Sequence, residues 1–524
     1  MSPMSGSSSS SQRKALQMGD RVHARWPGNG CWYLAVVERI DDTKVTVAWD
    51  DGDTNDRVVD IKDVVKVTDD SRPSSWQQIE DSSFVEDLPG KGRCLFTRHY
   101  VKSGSVLFIE KPTLVAIPSK NRGFWDALVK ENEKEAFQLG TTSFHYAAVL
   151  TWFTLEDADV KVVLDKFVPD GENEETSRDV IRILELLDSV PSLSLPPGRA
   201  QLTGRVLQNL VNAWRYNSFG HHSEDGLVLY NRISMAAHGC DPTCCWTYGD
   251  DESFVLRARV TLQPGAEVTI SYLQDEDLLK STNVRRKKLE NWKFRCSCSR
   301  CNLRVDVCRG FRCLKCRSGA HYFVENGSTP QLTACDVCAE ACKDAEKEQC
   351  LSLEPEYVAR IEQLDKNNPN DVELVYNASL DFFHENHWCV FVCDHLLWEY
   401  YRERDNDVAM IHAQRKVQYH ARVYPRPTFV WAWGLEELAD DLQKQIQQAA
   451  NYKKLMGASS HGAAVLAATR KNHRNSGSRY AEIINMYRKS QCQLAILCGP
   501  AHPYAVAPQN KWHAAQQNFN SICA

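Results

Sequence analysis

The sequence lacks any apolar stretch long enough to cross a membrane: no run of 18 apolar residues occurs in its 524 residues. The N-terminal stretch MSPMSGSSSSSQRK is serine-rich and has no apolar segment of the kind that a secretory signal peptide needs. We therefore expect an intracellular protein, in the nucleus or the cytoplasm, with no membrane partner. In such a reducing compartment cysteines remain thiols or metal ligands.

An excess of basic residues is also lacking. The chain has 62 Lys and Arg against 68 Asp and Glu, a net charge of −6. Proteins that bind nucleic acids through phosphates usually carry a basic face, so we do not expect a nucleic-acid partner. The composition, 43% hydrophobic and 25% charged, is that of a globular protein, and the length predicts several domains.

Cysteine is absent between Cys94 and Cys240, whereas most of the 20 cysteines lie from Cys240 to Cys350. The stretch CSCSRC places three thiols within six residues, at Cys296, Cys298 and Cys301. A structural zinc ion takes four ligands in a tetrahedron, so a fourth must come from elsewhere in the chain. The candidates for this fourth ligand are Cys240, Cys244, Cys245 and Cys308.

Two further Cys-x-x-C pairs follow downstream, CLKC and CDVC, with 18 residues between them. This is the spacing of a zinc ribbon, whose ligands would be Cys313, Cys316, Cys335 and Cys338. The alternative is a set of ordinary buried thiols. With the first cluster, the pattern predicts two zinc ions per chain.

Hydrophobic periodicity divides the chain into segments of alternating type. Residues 16–69 show period-two alternation, as in Val22, Ala24 and Trp26, which predicts a small antiparallel barrel. Strand patterns return at 83–118 and 213–275, and helical spacing of apolar residues occupies 119–212 and 351–524. We therefore predict a multidomain α+β protein with a disordered tail (1–15), a linker (70–82) and two Cys-rich modules (276–306 and 307–350).

The order of five motifs is similar to that of a SET domain followed by a post-SET zinc cluster. These motifs are GKGR, YNSFG, HGCDPTC, GAEVTISYL and FRCSCSRC. The helical insert and the helical, TPR-like C-terminal array resemble the SET- and MYND-type protein lysine methyltransferases. No cysteine is available for a MYND finger between Cys94 and Cys240, which points to MYND-less relatives such as the apical complex lysine methyltransferases.

The resemblance implies transfer of a methyl group from S-adenosylmethionine to a lysine of a protein substrate, histone or non-histone. It identifies Tyr272 as the catalytic tyrosine and Phe294 as a wall of the lysine channel or a cover for the adenine. It assigns cofactor binding to Lys91, Gly92, Arg93, Asn217, Ala237 and His238, together with Tyr272 and Phe294. It also selects Cys240 as the fourth ligand of the first zinc ion.

The motif MAAHGCDPTCCW departs from the pattern of the family. Ala237, Gly239 and Thr243 stand where the family has Asn, Ser and Asn. Loss of the asparagine side chain removes one hydrogen-bonding group near the cofactor, worth about 1–2 kcal/mol if unreplaced. We expect an active enzyme; the alternative is an inactive SET scaffold that binds other proteins.

The N-terminal barrel resembles a Tudor domain. The resemblance places an aromatic cage at Trp26, Tyr33 and Trp49, with Asp51 as its carboxylate. Such a cage suits a peptide with a methylated lysine or arginine. The alternative is that these aromatic residues belong to the barrel core or to a protein contact.

Overall fold

The computed structural model describes residues 16–27, 32–49, 54–66, 75–134, 137, 142–168, 175–187, 201–249, 252–325, 330–366, 368–456 and 463–523. The expected disordered tail, the first half of the linker and the cage residue Asp51 lie outside these ranges. Within them, no helix combines the length and low polarity that crossing a bilayer requires.

The N-terminal strands form one antiparallel sheet in the order β4-β3-β2-β1-β5. The strands are β1 (Arg21–Arg25), β2 (Trp32–Ile40), β3 (Lys44–Trp49), β4 (Val58–Asp60) and β5 (Val64–Lys66). Val22, Ala24, Val45 and Val47 are fully buried, so alternate side chains of β1 and β3 form the core of this sheet. The period-two alternation therefore predicted these strands correctly.

Part of the predicted linker is helical. Helix α1 (Ser75–Ser82) directly precedes the first strand of the central region. Its Ile79 is 1% exposed and belongs to the same core as Leu95 and Phe108. Burial of this one apolar side chain anchors a segment whose polar composition had indicated a linker.

The central region contains three sheets, with orders β12-β15-β7-β6, β10-β11-β9 and β13-β14-β8 among the described residues. Each sheet pairs strands from before the helical insert with strands from after it. The strands are β6 (Ser83–Leu88), β7 (Gly92–Thr97), β8 (Val106–Glu110), β9 (Leu114–Ala116), β10 (Phe219–Gly220), β11 (Leu227–Leu229), β12 (Ala237–His238), β13 (Cys244–Tyr248), β14 (Phe254–Ala258) and β15 (Glu267–Ile270).

The insert forms the expected helices around its own apolar core, which includes Tyr146 and Trp214. They are α2 (Arg122–Asn132), α3 (Thr142–Thr154), α4 (Asp157–Phe167), α5 (Arg178–Leu187) and α6 (Gly204–Asn217). Thr203 caps α6 by accepting the backbone N–H of Val206. Because α6 continues beyond the predicted end at residue 212, it carries Asn217 to the edge of the central sheets.

The basic segment after β15 forms two helices. Helix α7 (Asp275–Leu278) ends before Ser281, whose hydroxyl caps α8 (Thr282–Leu289) by accepting the backbone N–H of Val284. A fourth sheet follows in the order β18-β17-β16-β19. Its strands are β16 (Val305–Arg312), β17 (Ala320–Val324), β18 (Gln331–Leu332) and β19 (Phe383–His387).

The remainder is helical, as predicted, apart from β19. The helices are α9 (Asp344–Gln363), α10 (Pro369–Ser379), α11 (Trp388–Tyr401), α12 (Asn406–Val423), α13 (Phe429–Met456), α14 (Ala463–Cys498) and α15 (Pro503–Cys523). Successive helices from α10 onward pack on each other. The TPR-like character of this array stays a prediction.

Candidate active site

Several of the predicted site residues meet at one end of the sheet β12-β15-β7-β6. Strand β15 is parallel to β12, with His238 opposite Ile270, and antiparallel to β7, with Val268 opposite Leu95. The start of β7, with Gly92, therefore lies at the same end as His238 and the residues that follow Ile270. Tyr272 comes two residues after this strand end.

Tyr272 is held at both its backbone and its hydroxyl. Its backbone N–H donates to Nδ1 of His238 at 3.0 Å, and its hydroxyl donates to the carbonyl oxygen of Ala236 at 2.8 Å. Its ring lies 5.6 Å from the Trp292 ring and 6.3 Å from the Phe294 ring. Burial raises the pKa of the Tyr272 hydroxyl, which therefore stays protonated at neutral pH.

His238 links Tyr272 to a cysteine. Its Nε2 lies 3.2 Å from Sγ of Cys240, while Nδ1 accepts the backbone N–H of Tyr272. Burial lowers the pKa of His238 to about 4, so the ring is neutral and its one proton is on Nε2. Since both ring nitrogens are engaged inside the protein, any contact of His238 with a cofactor uses its backbone or its ring face.

The first cysteine group comes together as the sequence predicted, and its fourth member is Cys240. The Sγ atoms of Cys240, Cys296, Cys298 and Cys301 lie within 4.8 Å of one another. Sγ of Cys240 is 4.0 Å from that of Cys296 and 3.5 Å from that of Cys301. Zinc–sulfur bonds of about 2.3 Å in a tetrahedron separate the sulfur atoms by about 3.8 Å, so the group fits one zinc ion.

A buried guanidinium compensates the charge of these thiols. Arg285 is 1% exposed and its Nη2 lies 3.7 Å from Sγ of Cys301. Arg286 donates to the carbonyl oxygens of Cys296 and Cys301 and so fixes the loop that carries these cysteines. Four thiolates with Zn²⁺ carry two negative charges, which a nearby cation stabilises in a buried location.

Three positions of the AHGCDPT motif differ from the family pattern, and at two of them neighbouring groups compensate for the difference. A Cβ at Gly239 would lie 3.0 Å from Oγ1 of Thr269, so Thr269 occupies the space of a larger side chain there. The Thr243 hydroxyl accepts the backbone N–H of Thr269 and donates to the carbonyl oxygen of Glu267. Thr243 therefore fastens the motif to β15, whereas the methyl group of Ala237 offers no hydrogen bond.

The predicted cofactor residues outside the motif lie beside the sheet end, and their polar groups have protein partners. The Lys91 ammonium donates to both carboxylate oxygens of Glu267, at 2.9 and 3.0 Å, and remains 46% exposed. Arg93 donates to the carbonyl oxygen of Lys166. The Asn217 amide donates to the carbonyl oxygens of Phe167 and Ala213.

The turn before β7 leaves open space. Gly90 and Gly92 have φ angles of +76° and +72°, and a Cβ at either position would meet no atom within 4 Å. Both positions require glycine for their left-handed backbone. The open space suits the close approach of a ligand, and half-buried Phe294, 6.2 Å from the His238 ring, lies at the same sheet end. The residues present therefore fit a nucleoside cofactor with a charged amino-acid part.

The second cysteine group also assembles as predicted. Sγ of Cys313 lies 3.7 Å from that of Cys338, and Sγ of Cys316 lies 3.7 Å from that of Cys335, distances that fit a second zinc ion. A Cβ at Gly319 would lie 2.4 Å from Sγ of Cys335, so this position admits only glycine. Strand β19 of the helical region completes the sheet of this module.

A cleft of about 440 Å³ opens from Tyr272 between the central sheets and the C-terminal helices. Its wall includes Ala236, Trp292 and Leu273 on one side and Phe429 and Trp433 on the other. Trp292 was not among the residues predicted from the sequence, although it lies only two residues before Phe294. Its position as an aromatic residue shortly before the cysteine cluster was the sequence signal that could have identified it.

A buried arginine joins the motif to the C-terminal helices. Arg259 is 3% exposed and donates to the carbonyl oxygen of Pro242 at 2.9 Å, to the Tyr424 hydroxyl at 2.7 Å and to the Asp241 carboxylate. Arg426 also donates to this carboxylate, at 3.2 Å. The loop that carries Cys240 is therefore fixed from both sides.

The predicted cage residues of the N-terminal sheet differ in their surroundings. Trp49 is 6% exposed and its Nε1 donates to the carbonyl oxygen of Asn55, which makes it a core residue. Trp26 is half-buried, and Nζ of Lys102 lies 5.8 Å from its ring centroid. Asp51 and the side chain of Tyr33 lie outside the described part of the chain.

Comparison with known families identifies the central region. Residues 92–273, from the start of β7 to just beyond Tyr272, match the family model for the SET domain. This region is a SET domain. The prediction of a SET fold is thereby confirmed, whereas the absence of a MYND finger, the Tudor-like barrel and the similarity to apical complex enzymes stay predictions.

The chain has relatives among lysine methyltransferases. It is 39% identical over 79 residues to human histone-lysine N-methyltransferase SMYD3, a match covering 15% of this chain and 18% of the relative. Histone-lysine N-methyltransferase ASHR1 from Arabidopsis thaliana is 23% identical over 268 residues, 42% of this chain and 54% of the relative. The chain therefore spans about half or less of the length of these relatives.

Among solved structures, the chain resembles the SET domain of LSMT bound to lysine and AdoHcy. The TM-score is 0.26 at 10% identity, with 86% of this chain and 93% of that chain covered. Rubisco LSMT bound to AdoMet gives a TM-score of 0.25 at 10% identity, with coverage of 86% and 92%.

Proposed function

We propose that the chain is an S-adenosylmethionine-dependent protein lysine methyltransferase. The observation that carries the proposal is the placement of Tyr272 within a SET domain. Its hydroxyl and backbone are both fixed, and it lines a cleft beside two aromatic rings, Trp292 and Phe294. The similarity of the chain to histone-lysine methyltransferases supports the same chemistry.

The reaction needs a neutral lysine amine. A free lysine has a pKa of about 10.4, so its deprotonation at neutral pH costs about 4–5 kcal/mol. Removal from water inside the cleft, together with the positive charge of the bound cofactor, would reduce this cost by disfavouring the charged ammonium form. Asp275 lies in the same cleft, where burial raises its pKa. Its side chain accepts the backbone N–H of Phe429 and so fixes the start of α13.

The open turn at Gly90–Gly92 and the ring of Phe294 would hold S-adenosylmethionine, with Lys91 as the cation for its carboxylate. When bound, the cofactor supplies the electrophilic methyl group that the lysine nitrogen accepts. Tyr272 orients the acceptor amine, because its own hydroxyl is fixed by Ala236 and does not rotate freely. Transfer is fastest when the reacting atoms are held in line.

The two cysteine groups are proposed to be structural zinc sites. Each offers four thiolates and leaves no coordination position for water or substrate, which is the arrangement of structural rather than catalytic zinc. The first site joins Cys240, next to the active site, to the cluster at Cys296–Cys301. The zinc ion there would fix Trp292 and Phe294 against Tyr272.

The barrel is proposed to bind a methylated peptide. The support is Trp26, whose ring attracts a cation, here the Lys102 ammonium. A methylated side chain would have to displace Lys102 from this ring. The protein substrate itself is proposed on the strength of the relatives and is equally open to histone and non-histone proteins.

The competing function is an inactive SET scaffold, which Ala237 favours because it removes a polar side chain from the motif. Calorimetric titration of the zinc-replete full chain with S-adenosylmethionine separates the two. Saturable binding with one site per chain is expected for the enzyme. If the chain is folded and zinc-loaded but binds no cofactor, the proposed enzyme is contradicted and the inactive scaffold becomes the supported function.

A further inference from the structure

The cleft that opens from Tyr272 has an aromatic rim on the C-terminal helices. Phe429 and Trp433 line the cleft one turn apart on α13, with ring centroids separated by 5.3 Å. The ring of Tyr504, on α15, lies 5.6 Å from that of Trp433. Trp433 is 39% exposed and Tyr504 is 50% exposed, which is more than packing alone requires of such large rings. We call these three residues the rim cluster.

The charged residues of the same cleft are Arg259, Asp275 and Glu276. Arg259 is bonded to Asp241 and Tyr424, and Asp275 accepts the first backbone N–H of α13. Glu276 is exposed and forms no ion pair with any residue that the structure describes. The charge that the cleft offers to a ligand is therefore negative.

Elsewhere in the chain, aromatic faces are covered by its own cations. The Arg300 guanidinium lies 4.3 Å from the ring centroid of Tyr424, and the Lys416 ammonium lies 3.5 Å from that of Trp398. Within the described ranges, no lysine or arginine stacks on a ring of the rim cluster. The His502 ring adjoins that of Tyr504, with centroids 4.7 Å apart, so a cation from another molecule can occupy the exposed remainder of Tyr504 and the exposed part of Trp433.

We propose that the rim cluster and Glu276 form a subsite for a cationic side chain of the substrate, close in sequence to the target lysine. The inference rests on the proposed function, because it takes the cleft as the path of the substrate peptide to Tyr272. The aromatic faces attract a cation and the carboxylate of Glu276 neutralises it. Arginine suits the subsite better than lysine, since its planar guanidinium stacks on aromatic rings.

The test measures binding rather than catalysis. The zinc-replete full chain is immobilised with S-adenosylhomocysteine in the buffer and exposed to a degenerate peptide library with a fixed central lysine. Recovered peptides are sequenced. We expect arginine to be enriched about two- to fivefold at one or more flanking positions, as for a cation–π contact at a partly exposed site.

Trp433→Leu and Glu276→Gln should each reduce this enrichment. The matched controls are Ile411→Ala, an exposed apolar residue on α12, and Glu362→Gln, an exposed carboxylate on α9; neither residue lines the cleft. Glu276→Gln keeps the size of an exposed side chain, so it remains informative if Trp433→Leu fails to fold.

No enrichment in the wild type, or enrichment that both variants retain, would overturn the subsite. A chain that selects arginine peptides but transfers no methyl group would contradict the proposed function and leave the subsite intact. A chain that methylates lysine without preference for arginine would contradict the subsite alone.

Discussion

The Nδ1 atom of His238 accepts the backbone N–H of Tyr272 at 3.0 Å, while its Nε2 lies 3.2 Å from Sγ of Cys240. One neutral imidazole thus connects the proposed catalytic tyrosine to a proposed zinc ligand. The contact explains why the motif keeps its histidine and cysteine although Ala237, Gly239 and Thr243 differ from the family. His238 supports Tyr272 by position and needs no charge of its own.

Replacement of His238 by alanine should therefore act through Tyr272. The variant leaves the Tyr272 backbone N–H without its acceptor, which costs about 1–3 kcal/mol in the free energy of unfolding if water does not enter. Urea denaturation measures the loss. His99→Ala is the control, because that side chain is exposed. Equal stability of the two variants would contradict the structural role of His238.

The two proposed zinc sites should differ in their effect on activity. Elemental analysis of the purified chain should give two zinc ions, and Cys240→Ser and Cys335→Ser should each remove one. Cys240→Ser should also weaken cofactor binding, since it frees the segment with Trp292 and Phe294 from the sheet. Cys335→Ser should mainly loosen the sheet that contains β19. One zinc ion or none in the wild type would refute the ligand assignment.

A buried histidine in the insert predicts a pH dependence of stability. Burial lowers the pKa of His145 to about 4, below its ordinary value of 6.5. Between these pH values the unfolded chain binds a proton that the folded chain excludes. The free energy of unfolding therefore falls as the pH drops from about 6.5 to 4, by an amount on the order of 3 kcal/mol.

His145→Leu isolates this contribution. Both ring nitrogens of His145 are buried without a hydrogen-bond partner among the described residues, so the variant should be as stable as the wild type at pH 7 or slightly more so. Urea denaturation at pH 7 and pH 5 should show a smaller decrease for the variant. If the free energy of unfolding of the variant decreases as much as that of the wild type, the proton is taken up by a group other than His145.

The barrel prediction can be tested on the full chain through Lys102. If Trp26 belongs to a methyl-peptide cage, Lys102→Ala should raise the affinity for a trimethyllysine peptide about two- to fivefold, because it removes the competing cation. Trp26→Ala should abolish the preference for the methylated form. Fluorescence anisotropy with methylated and unmodified peptides measures both. Equal binding of the two forms by all variants would make the barrel a plain interaction module.

The sequence was informative where the chemistry depends on local spacing. The Cys-x-x-C pairs and the CSCSRC stretch are short segments, so spacing indicated the members of the cysteine groups other than Cys240. Cys240 and the proposed role of Tyr272 came from the family resemblance. The sequence was less informative where distant segments meet. Strand β19 lies within apolar spacing that indicated a helix, and its pairing with β16 depends on tertiary contacts that override local propensity.

The contacts of Arg259 with Asp241 and Tyr424 could likewise not be predicted from the sequence. They join residues separated by 18 and 165 positions, and a lone arginine in a strand gives no signal of such a partner. Helix α1 forms within the predicted linker because the burial of Ile79 stabilises it despite the polar residues around it. These features depend on the burial of residues against segments that are distant in the sequence, which short motifs do not record.

Tyr272 is tested most directly by comparing the formation of N-methyllysine by the wild type and by Tyr272→Phe. The substitution removes the hydroxyl that donates to Ala236 and keeps the ring, so zinc content and cofactor binding should change little. With isotope-labelled S-adenosylmethionine and a lysine peptide array, mass spectrometry should detect methyllysine with the wild type. The rate should fall on the order of a hundredfold in the variant, as for a contact that acts in the transition state. Equal rates would contradict the role of Tyr272, and a cofactor-free, inactive wild type would contradict the enzyme itself.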